Sequence, residues 1–220
     1  MPLHVSGVMA DYSVSKRLTV SGGWTAGEQN SFTNRFDDSA FLGKVTFVPG
    51  DKLTVAYNLY FGRSYGIDKV ADAKDRFRRN YHTASHIVQS LILTANLVPK
   101  WMYMIETSWA DNRYNNNDPL SDVPNASYVG INQHLIYTIN KQWATGLRFE
   151  WNRGKNSLFD VSGGEGYQLY ALTLGANWTP NKWLILRPEL RHDWYNGGTP
   201  FANGTKANQL SGGGSCIVKF

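Results

Sequence analysis

Apolar and polar side chains alternate at every second position along most of this chain. In the stretch 142–153, Trp143 and Trp151 share one parity, while Arg148 and Glu150 share the other. Successive side chains of a β-strand point to opposite faces of a sheet, so a sustained period of two predicts strands with two unlike faces. The pattern therefore predicts an all-β fold, and the rest of the sequence has to decide which face meets water.

The alternation recurs in eleven segments, and none of them has a convincing helical period. A strand of about ten residues is long enough to cross a bilayer at a tilt. The predicted strands are 3–13, 16–27, 39–49, 51–62, 81–98, 100–111, 127–140, 142–153, 166–178, 182–195 and 208–220.

Short turns and long loops alternate between these segments. Short turns at one end and long loops at the other are typical of a bacterial outer-membrane barrel, whereas the Greek-key crossings of a β-sandwich would not alternate so regularly. We therefore expect an antiparallel, up-and-down transmembrane β-barrel. The short turns are 13–17, 48–52, 97–101, 139–143 and 179–183, and the long loops are 28–38, 63–80, 112–126, 154–165 and 196–207.

Charges of both signs occupy the polar face of the predicted strands. In "RPELRHDW" (187–194), four charges of alternating sign fall on every second position. Such charges need water or mutual pairing, because an unpaired buried charge is very costly. We expect them to line a wet lumen and set its selectivity, and we expect Pro188 to mark a bulge or a local gap in strand pairing. The predicted lumen-lining residues are Lys44, Glu106, Arg148, Glu150, Arg187, Glu189, Arg191, Asp193 and Lys219.

Tryptophans lie at the ends of the predicted apolar faces. Aromatic girdles at both interfaces are typical of a barrel in lipid, whereas a soluble core would tend to hold Trp in its middle. A soluble barrel or sandwich with tryptophans at its edges is the alternative. The predicted girdle comprises Trp101, Trp109, Trp143, Trp151, Trp178, Trp183 and Trp194.

The last segment, "NQLSGGGSCIVKF", ends on an aromatic residue. Cys216, Val218 and Phe220 share one parity there. This ending resembles the C-terminal signal by which outer-membrane barrels are recognised for insertion, so the barrel-assembly machinery is an expected partner. Cys216 is the single cysteine, and no internal disulfide can form.

Composition excludes several classes of protein. No apolar run approaches 18 residues, which excludes a helical membrane span. The formal net charge of +5 is modest, and Lys and Arg are scattered apart from "KDRFRRN" (74–80), so no nucleic-acid partner is expected. The first residues, "MPLHVSGVMADY", have neither the basic nor the apolar region of a signal peptide.

Few residues could carry catalytic chemistry. His82 and His86 would lie roughly 13 Å apart on a strand, too far to share one metal ion. His192 and Asp193 point to opposite faces, and no grouping of Ser, His and an acid stands out. The Gly-rich 162–166 lacks the strand-to-helix context of a phosphate loop. We therefore expect no metal, no cofactor and no enzymatic activity.

Four stretches resemble the OmpL-like family of outer-membrane β-barrel porins. They are "SAFLGKVTF" (39–47), "YVGINQHLIYTINKQWATGLRFEWNR" (128–153), "YQLYALTLGANWTPNKWLILRPELRHDWYNGG" (167–198) and "PFANGTKANQLSGG" (200–213). The resemblance covers nearly the full length, although "GGGSCIVKF" is richer in Gly than the family pattern. It implies a bacterial outer-membrane location, contact with outer-membrane lipid and a role as a diffusion channel.

Eleven strands break the even-strand rule of bacterial barrels. If Phe220 ends in the periplasm, Met1 lies on the external side. We expect 1–220 to be a single β-barrel domain that lacks a signal peptide and N-terminal strands, with roughly 12 strands or more in the complete barrel. The alternative is that 1–13 is a plug or clip outside a ten-stranded barrel.

Patterning and resemblance together imply passive diffusion of small hydrophilic solutes through a charged lumen. The net positive charge favours a weak preference for anions. A non-conducting scaffold barrel of an envelope complex and a barrel enzyme are the alternatives. Copies of the same chain and neighbouring envelope proteins are further expected partners.

Overall fold

The computed structural model describes residues 5–28, 39–62, 83–114, 125–156 and 165–219. The described residues form strands, turns and bends, without a helix, and the eleven predicted segments each coincide with a strand. No helix in this part of the chain is long or apolar enough to cross a bilayer. The strands are β1 (Val5–Ser15), β2 (Leu18–Glu28), β3 (Ala40–Gly50), β4 (Leu53–Gly62), β5 (Thr83–Val98), β6 (Trp101–Tyr114), β7 (Ala126–Thr138), β8 (Trp143–Lys155), β9 (Tyr167–Asn181), β10 (Leu184–Asn196) and β11 (Asn208–Val218).

Each strand pairs with its neighbours in sequence, so the sheet has the strand order β1 to β11. The ladders β1–β2, β2–β3, β8–β9, β9–β10 and β10–β11 are all antiparallel. The fold is therefore an antiparallel, up-and-down, eleven-stranded sheet, which confirms the predicted fold class. Such a topology follows from the sequence because each short turn reverses the chain beside the strand it has just left.

Side-chain oxygen atoms close three of the short turns. The Ser15 hydroxyl accepts hydrogen bonds of 3.1 Å from the backbone N–H groups of Arg17 and Leu18. Asn140 Oδ1 accepts hydrogen bonds from the backbone N–H groups of Gln142 and Trp143 at 2.8 and 3.0 Å. Asn181 Oδ1 accepts from the N–H of Trp183 at 3.2 Å. Ser and Asn favour turns because their side chains can bond nearby backbone in this way.

Pro188 produces the gap in pairing that its missing N–H predicts. It pairs with Gly214 on β11 without interrupting that ladder. On the other side, the register between Leu186 and Glu189 is unbroken, but Pro188 has no register partner on β9 among the described residues. The register shift of this ladder lies between Leu184 and Leu186 instead, so the irregularity at Pro188 is a gap and not a bulge.

The chain divides into two compact units. One comprises Met1–Phe47, Ala56–Ser90 and Ser108–Tyr128, and the other comprises Val48–Val55, Leu91–Thr107 and Val129–Phe220. In the first unit, Ala40, Tyr60 and Val88 form the buried cluster. These residues have even numbers. Phe41 and Phe61, which have odd numbers and lie on the opposite faces of the same strands, are 46% and 51% exposed. The period of two thus separates a buried face from an exposed apolar face.

In the second unit, polar groups are buried on one face and apolar groups are exposed on the other. Asp193 and Thr173 are each 4% exposed, whereas Leu174 and Leu190 are 58% and 52% exposed. Water-soluble proteins bury leucine and expose aspartate. A continuous exposed apolar face marks a surface that meets lipid or another apolar partner. This face therefore fits a bilayer and does not fit water.

Candidate functional site

Strand registers arrange the polar side chains of β8 to β11 in rows across the sheet. In one row, Arg148 faces Thr173, which in turn faces Arg191. Directly opposed residues of antiparallel strands lie on the same face and interact. We call the face that carries these rows the polar face of β8–β11. It comprises Ala144, Gly146, Arg148, Glu150, Ala171, Thr173, Gly175, Asn177, Arg187, Glu189, Arg191, Asp193, Gln209, Ser211, Gly213 and Ser215.

Four charged residues of this face form one ion-pair network. The Glu150 carboxylate binds Arg148, with 3.2 Å between Nε and Oε2, and also binds Nη1 of Arg191. Arg191 Nε donates to Asp193 Oδ1 at 2.8 Å. Gln209 Nε2 on β11 donates to the other oxygen of Asp193 at 3.3 Å. The network therefore connects β8, β10 and β11, and we call these five residues the charge network.

Burial explains why these charges are paired. The side chains of Arg148 and Arg191 are 31% and 26% exposed, and those of Glu150 and Asp193 are 21% and 6% exposed. A charge that is partly removed from water needs an opposite charge or hydrogen bonds to offset its lost hydration. Two cations and two anions meet this requirement within the network. The result is a fixed set of charges with no net charge of its own.

Arg187 and Glu189 share the polar face but stand outside the charge network. Both side chains are exposed. Neither forms an ion pair among the described residues. They lie two positions apart on β10, and Glu189 faces Gly175 on one side and Gly213 on the other. These two charged side chains are therefore accessible to solvent.

The remaining predicted lumen-lining residues lie elsewhere in the sheet. Lys44 is exposed and faces Ser21 on β2, and the Ser21 hydroxyl donates to the carboxylate of Asp11 on β1. Glu106 lies in the middle of β6, and Lys219 directly follows β11. Their sharing of a lumen with the charge network stays a prediction.

Sequence reasoning missed Thr173, Gln209 and Asp11. Arg148 Nη2 donates to Thr173 Oγ1 at 3.4 Å, and Gln209 completes the charge network. Thr173 and Gln209 are neutral, and Asp11 is the only charged residue in its predicted strand, 3–13. None of them therefore stands out in a search for alternating charges. The predicted strand order could have indicated Gln209, because it is the only long polar side chain on the polar parity of 209–217.

Aromatic side chains form two bands on the apolar face of β8 to β10. Trp143 stacks on Trp178 near the short turns, with 5.4 Å between ring centroids. Near the long loops, Trp151 faces Tyr170, and Tyr170 stacks on Trp194 at 5.5 Å. Eight residues of one strand separate Trp143 from Trp151, which is roughly 27 Å along the strand. On a tilted strand, this spacing is compatible with aromatic rings at the two interfaces of a bilayer.

The other predicted girdle residues have varied positions. Trp101 and Trp109 are 38% and 37% exposed and share one parity of β6. Trp101 packs against Tyr137, with 4.6 Å between centroids. Trp183 is 53% exposed and lies in the turn before β10. The girdle role of all seven tryptophans stays a prediction, although their exposure is compatible with it.

The C-terminal segment is only partly described. Cys216 is exposed and faces Leu186, and Val218 faces Leu184. Phe220 lies outside the described residues. An insertion signal formed by these positions therefore stays a prediction.

No group of three or more His, Cys, Asp or Glu residues in the described ranges could hold a metal ion. His86 is buried and contacts the ring of Tyr60 edge-on at 5.4 Å. His82 and the basic stretch 74–80 lie outside the described residues. His192 lies beside Trp194 with 5.3 Å between rings, on the face opposite Asp193.

Two solved structures of OmpT, an outer membrane protein of Vibrio cholerae, are similar to this chain. The loop L8 deletion mutant and the in-vitro folded protein are each 11% identical, with a TM-score of 0.66 over 96% of this chain. This chain spans only 62% and 63% of their lengths. A NanC porin structure is 11% identical, covers 98% of this chain and 93% of its own, and has a TM-score of 0.49. The OmpT likeness shows a shared fold.

No curated protein matches the sequence. The family model described as "Putative beta-barrel porin-2, OmpL-like" matches residues 1–220. This match confirms the family that the sequence resembles. It agrees with the exposed apolar face, the aromatic bands and the buried charges, and it places the protein in the bacterial outer membrane. The chain belongs to the OmpL-like family of β-barrel porins.

Proposed function

We propose that the protein is a channel for passive diffusion of small hydrophilic solutes across the outer membrane. The observation that carries the proposal is the charge network on one face of β8–β11, directly behind an exposed apolar face. In a barrel, the polar face of each strand lines the lumen and the apolar face meets lipid. Fixed charges of both signs then line a water-filled path.

The balance of charge predicts weak selectivity. Among the nine predicted lumen-lining residues, five are cationic and four are anionic. Asp11, bound to Ser21 beside Lys44, adds one more anion. Charged rings set the selectivity of pores through their net field. We therefore propose weak selectivity among small hydrophilic solutes and no chemical reaction on the solute. A slight preference for anions would come from the net charge of +5 of the whole chain.

Electrical recording tests this proposal directly. The chain is refolded in detergent, its folding is checked by heat-dependent gel migration, and it is added to planar bilayers. Discrete current steps are the expected result. A folded, heat-sensitive chain that carries no current would contradict the proposal, and hydrolysis of lipid or peptide by the purified chain would contradict its non-catalytic part.

A charge-reversal pair makes the test specific to the polar face. Arg187→Glu should move the reversal potential in a salt gradient toward that of a cation-selective pore. Arg153→Glu is the matched control, because Arg153 is exposed on the apolar parity of β8, beyond Trp151. Equal effects of the two substitutions would mean that Arg187 does not line the path.

A non-conducting scaffold is a second candidate function. The charge network favours it in one respect, because groups that satisfy one another leave little need for water. In this candidate the paired charges fill the lumen, and the barrel supports neighbouring envelope proteins or further copies of the chain. A stable barrel without current, recovered from membranes in a larger complex, would support the scaffold and exclude the channel.

Insertion would depend on the C-terminal strand in either case. We propose that the barrel-assembly machinery binds the segment 216–220, in which Cys216, Val218 and Phe220 share one parity of the sequence. Val218→Asp should lower the amount of folded chain in the outer membrane. Lys219→Asp, which alters the other parity, should leave that amount unchanged.

A further inference from the structure

A recess interrupts the polar face of β8–β11 on the short-turn side of the charge network. It is open to solvent and has a volume of about 160 Å³. We call it the glycine recess. Its lining includes Gly146, Gly175, Asn177, Arg187 and Glu189 of the polar face, and His134 and Ile136 of β7.

Two opposed glycines form the floor of this recess. Gly146 on β8 faces Gly175 on β9. Neither glycine has a positive φ. A Cβ at Gly146 would meet its nearest atom, in Ile136, at 3.5 Å, and one at Gly175 would meet the Pro188 carbonyl at 3.6 Å. Both are ordinary contacts, so backbone conformation and close packing do not require glycine here. Because neither glycine has a side chain, the space above this pair of residues stays open and forms the recess.

The recess contains one available charge of each sign. Arg148 is already bound to Glu150 and Thr173. Arg187 and Glu189 have no ion-pair partner among the described residues, and both line the recess. They are two positions apart on one face of β10, so their Cα atoms are about 7 Å apart. A ligand with one negative and one positive group can therefore bind both residues at once.

We propose that the glycine recess binds small zwitterionic solutes that carry one carboxylate and one ammonium group, such as amino acids and dipeptides. The Arg187 guanidinium binds the carboxylate, and the Glu189 carboxylate binds the ammonium. Asn177 and His134, which also line the recess, offer hydrogen bonds to the amide or side chain between them. This inference rests on the proposed channel function, since it names a solute class for that channel.

Charge complementarity excludes simpler ions from tight binding. An anion that binds Arg187 comes close to Glu189 and is repelled, and a cation at Glu189 is repelled by Arg187. An uncharged polyol makes neither charge-assisted hydrogen bond. A zwitterion alone satisfies both residues, so we expect it to bind more tightly than an anion, cation or polyol of equal size.

Equilibrium binding to the folded chain in detergent tests the inference independently of conductance. The probe is L-alanyl-L-alanine, compared with lactate, ethanolamine and glycerol, and binding is followed by calorimetry or saturation-transfer NMR. Binding of the dipeptide in clear preference to the other three is the expected result. Absence of dipeptide binding, or equal binding of lactate, would overturn the inference.

Substitutions locate the binding in the recess. Glu189→Gln and Arg187→Gln should each weaken dipeptide binding by about tenfold, the effect of one charge-assisted hydrogen bond. Gly175→Val should fill the recess and abolish binding. Gly213→Val is its matched control, because Gly213 also faces Glu189 but does not line the recess, and a Cβ added to it would have no atom within 4 Å. Equal loss in the two valine variants would overturn the inference.

Recording in bilayers separates this inference from the function on which it rests. Dipeptide should produce interruptions of the wild-type current that Gly175→Val lacks. Current without dipeptide binding would contradict solute binding in the glycine recess and would still support the channel function. Dipeptide binding by a chain that carries no current would support solute binding in the glycine recess and would contradict the channel function.

Discussion

Arg191 on β10 binds Glu150 on β8, although β9 lies between the two strands. Two strand spacings separate their backbones by about 10 Å. The pair crosses β9 between Thr173, which faces Arg191, and Ala171, which faces Glu150. Both residues are small and buried, at 4% and 1% exposure. The ion pair thus depends on short side chains on the strand that it crosses.

Ala171→Leu should break this crossing. The added volume occupies the space through which Arg191 reaches Glu150, so the chain should lose about 1 to 3 kcal/mol of unfolding free energy, as overpacked sites do. Urea titration of the chain in lipid vesicles measures the loss. Ala176→Leu, on the apolar face opposite Thr145, is the control and should change stability little. Equal losses would mean that the crossing contributes nothing.

Glu150→Gln removes the one carboxylate that both Arg148 and Arg191 share. The two guanidinium groups are then left near each other with less compensation, so we expect a loss of about 1 to 3 kcal/mol. The remaining charge on the polar face becomes more positive, and anion preference should increase. Reversal potential and urea titration measure the two effects. Glu165→Gln, at an exposed position outside the strands, should produce neither.

Leu174→Arg tests the lipid-facing assignment. Leu174 is 58% exposed and lies midway along β9 between Tyr170 and Trp178, one from each aromatic band. An arginine at that depth costs about 2 to 4 kcal/mol on the lipid face of a barrel. Gly213→Arg places the same charge on the polar face, opposite Glu189, and should cost much less. Unfolding from vesicles measures both, and equal costs would contradict the assignment of the faces.

Thiol labelling tests the same assignment at β11. Cys216 lies on the apolar parity, and Ser215 faces Arg187 on the polar face. In vesicles, a charged maleimide should label Ser215→Cys in a Cys216→Ser background and should leave Cys216 of the wild type largely unlabelled. The reason is that a charged reagent partitions poorly into hydrocarbon. The reverse labelling pattern would invert the two faces.

The sequence predicted the strands and their faces because both depend on local pattern. Arg148 and Glu150 share a face whatever lies beside β8, since a period of two needs no partner. Pro188 predicted a gap for a similar reason, because proline lacks an N–H in every context. The family resemblance also rested on contiguous stretches, and the family match confirms it.

The sequence pattern could not predict which side chains of different strands come into contact. Arg191 could have paired with Asp193 alone, and only the registers of two ladders bring it to Glu150. The glycine recess needs the same information, because Gly146 and Gly175 are 29 positions apart and meet through the register of β8 and β9. A shift of one residue in that ladder would place Gly175 beside a residue of the opposite face.

The turns closed by Ser15, Asn140 and Asn181 have a consequence for the order of assembly. Each turn fixes its hairpin with contacts between residues two or three positions apart. Pairs of strands can therefore find their register early and locally, before distant parts of the chain meet, which is the condition for rapid folding of a sheet. Each of these turns therefore limits the registers open to its own two strands before the neighbouring strands pair with them.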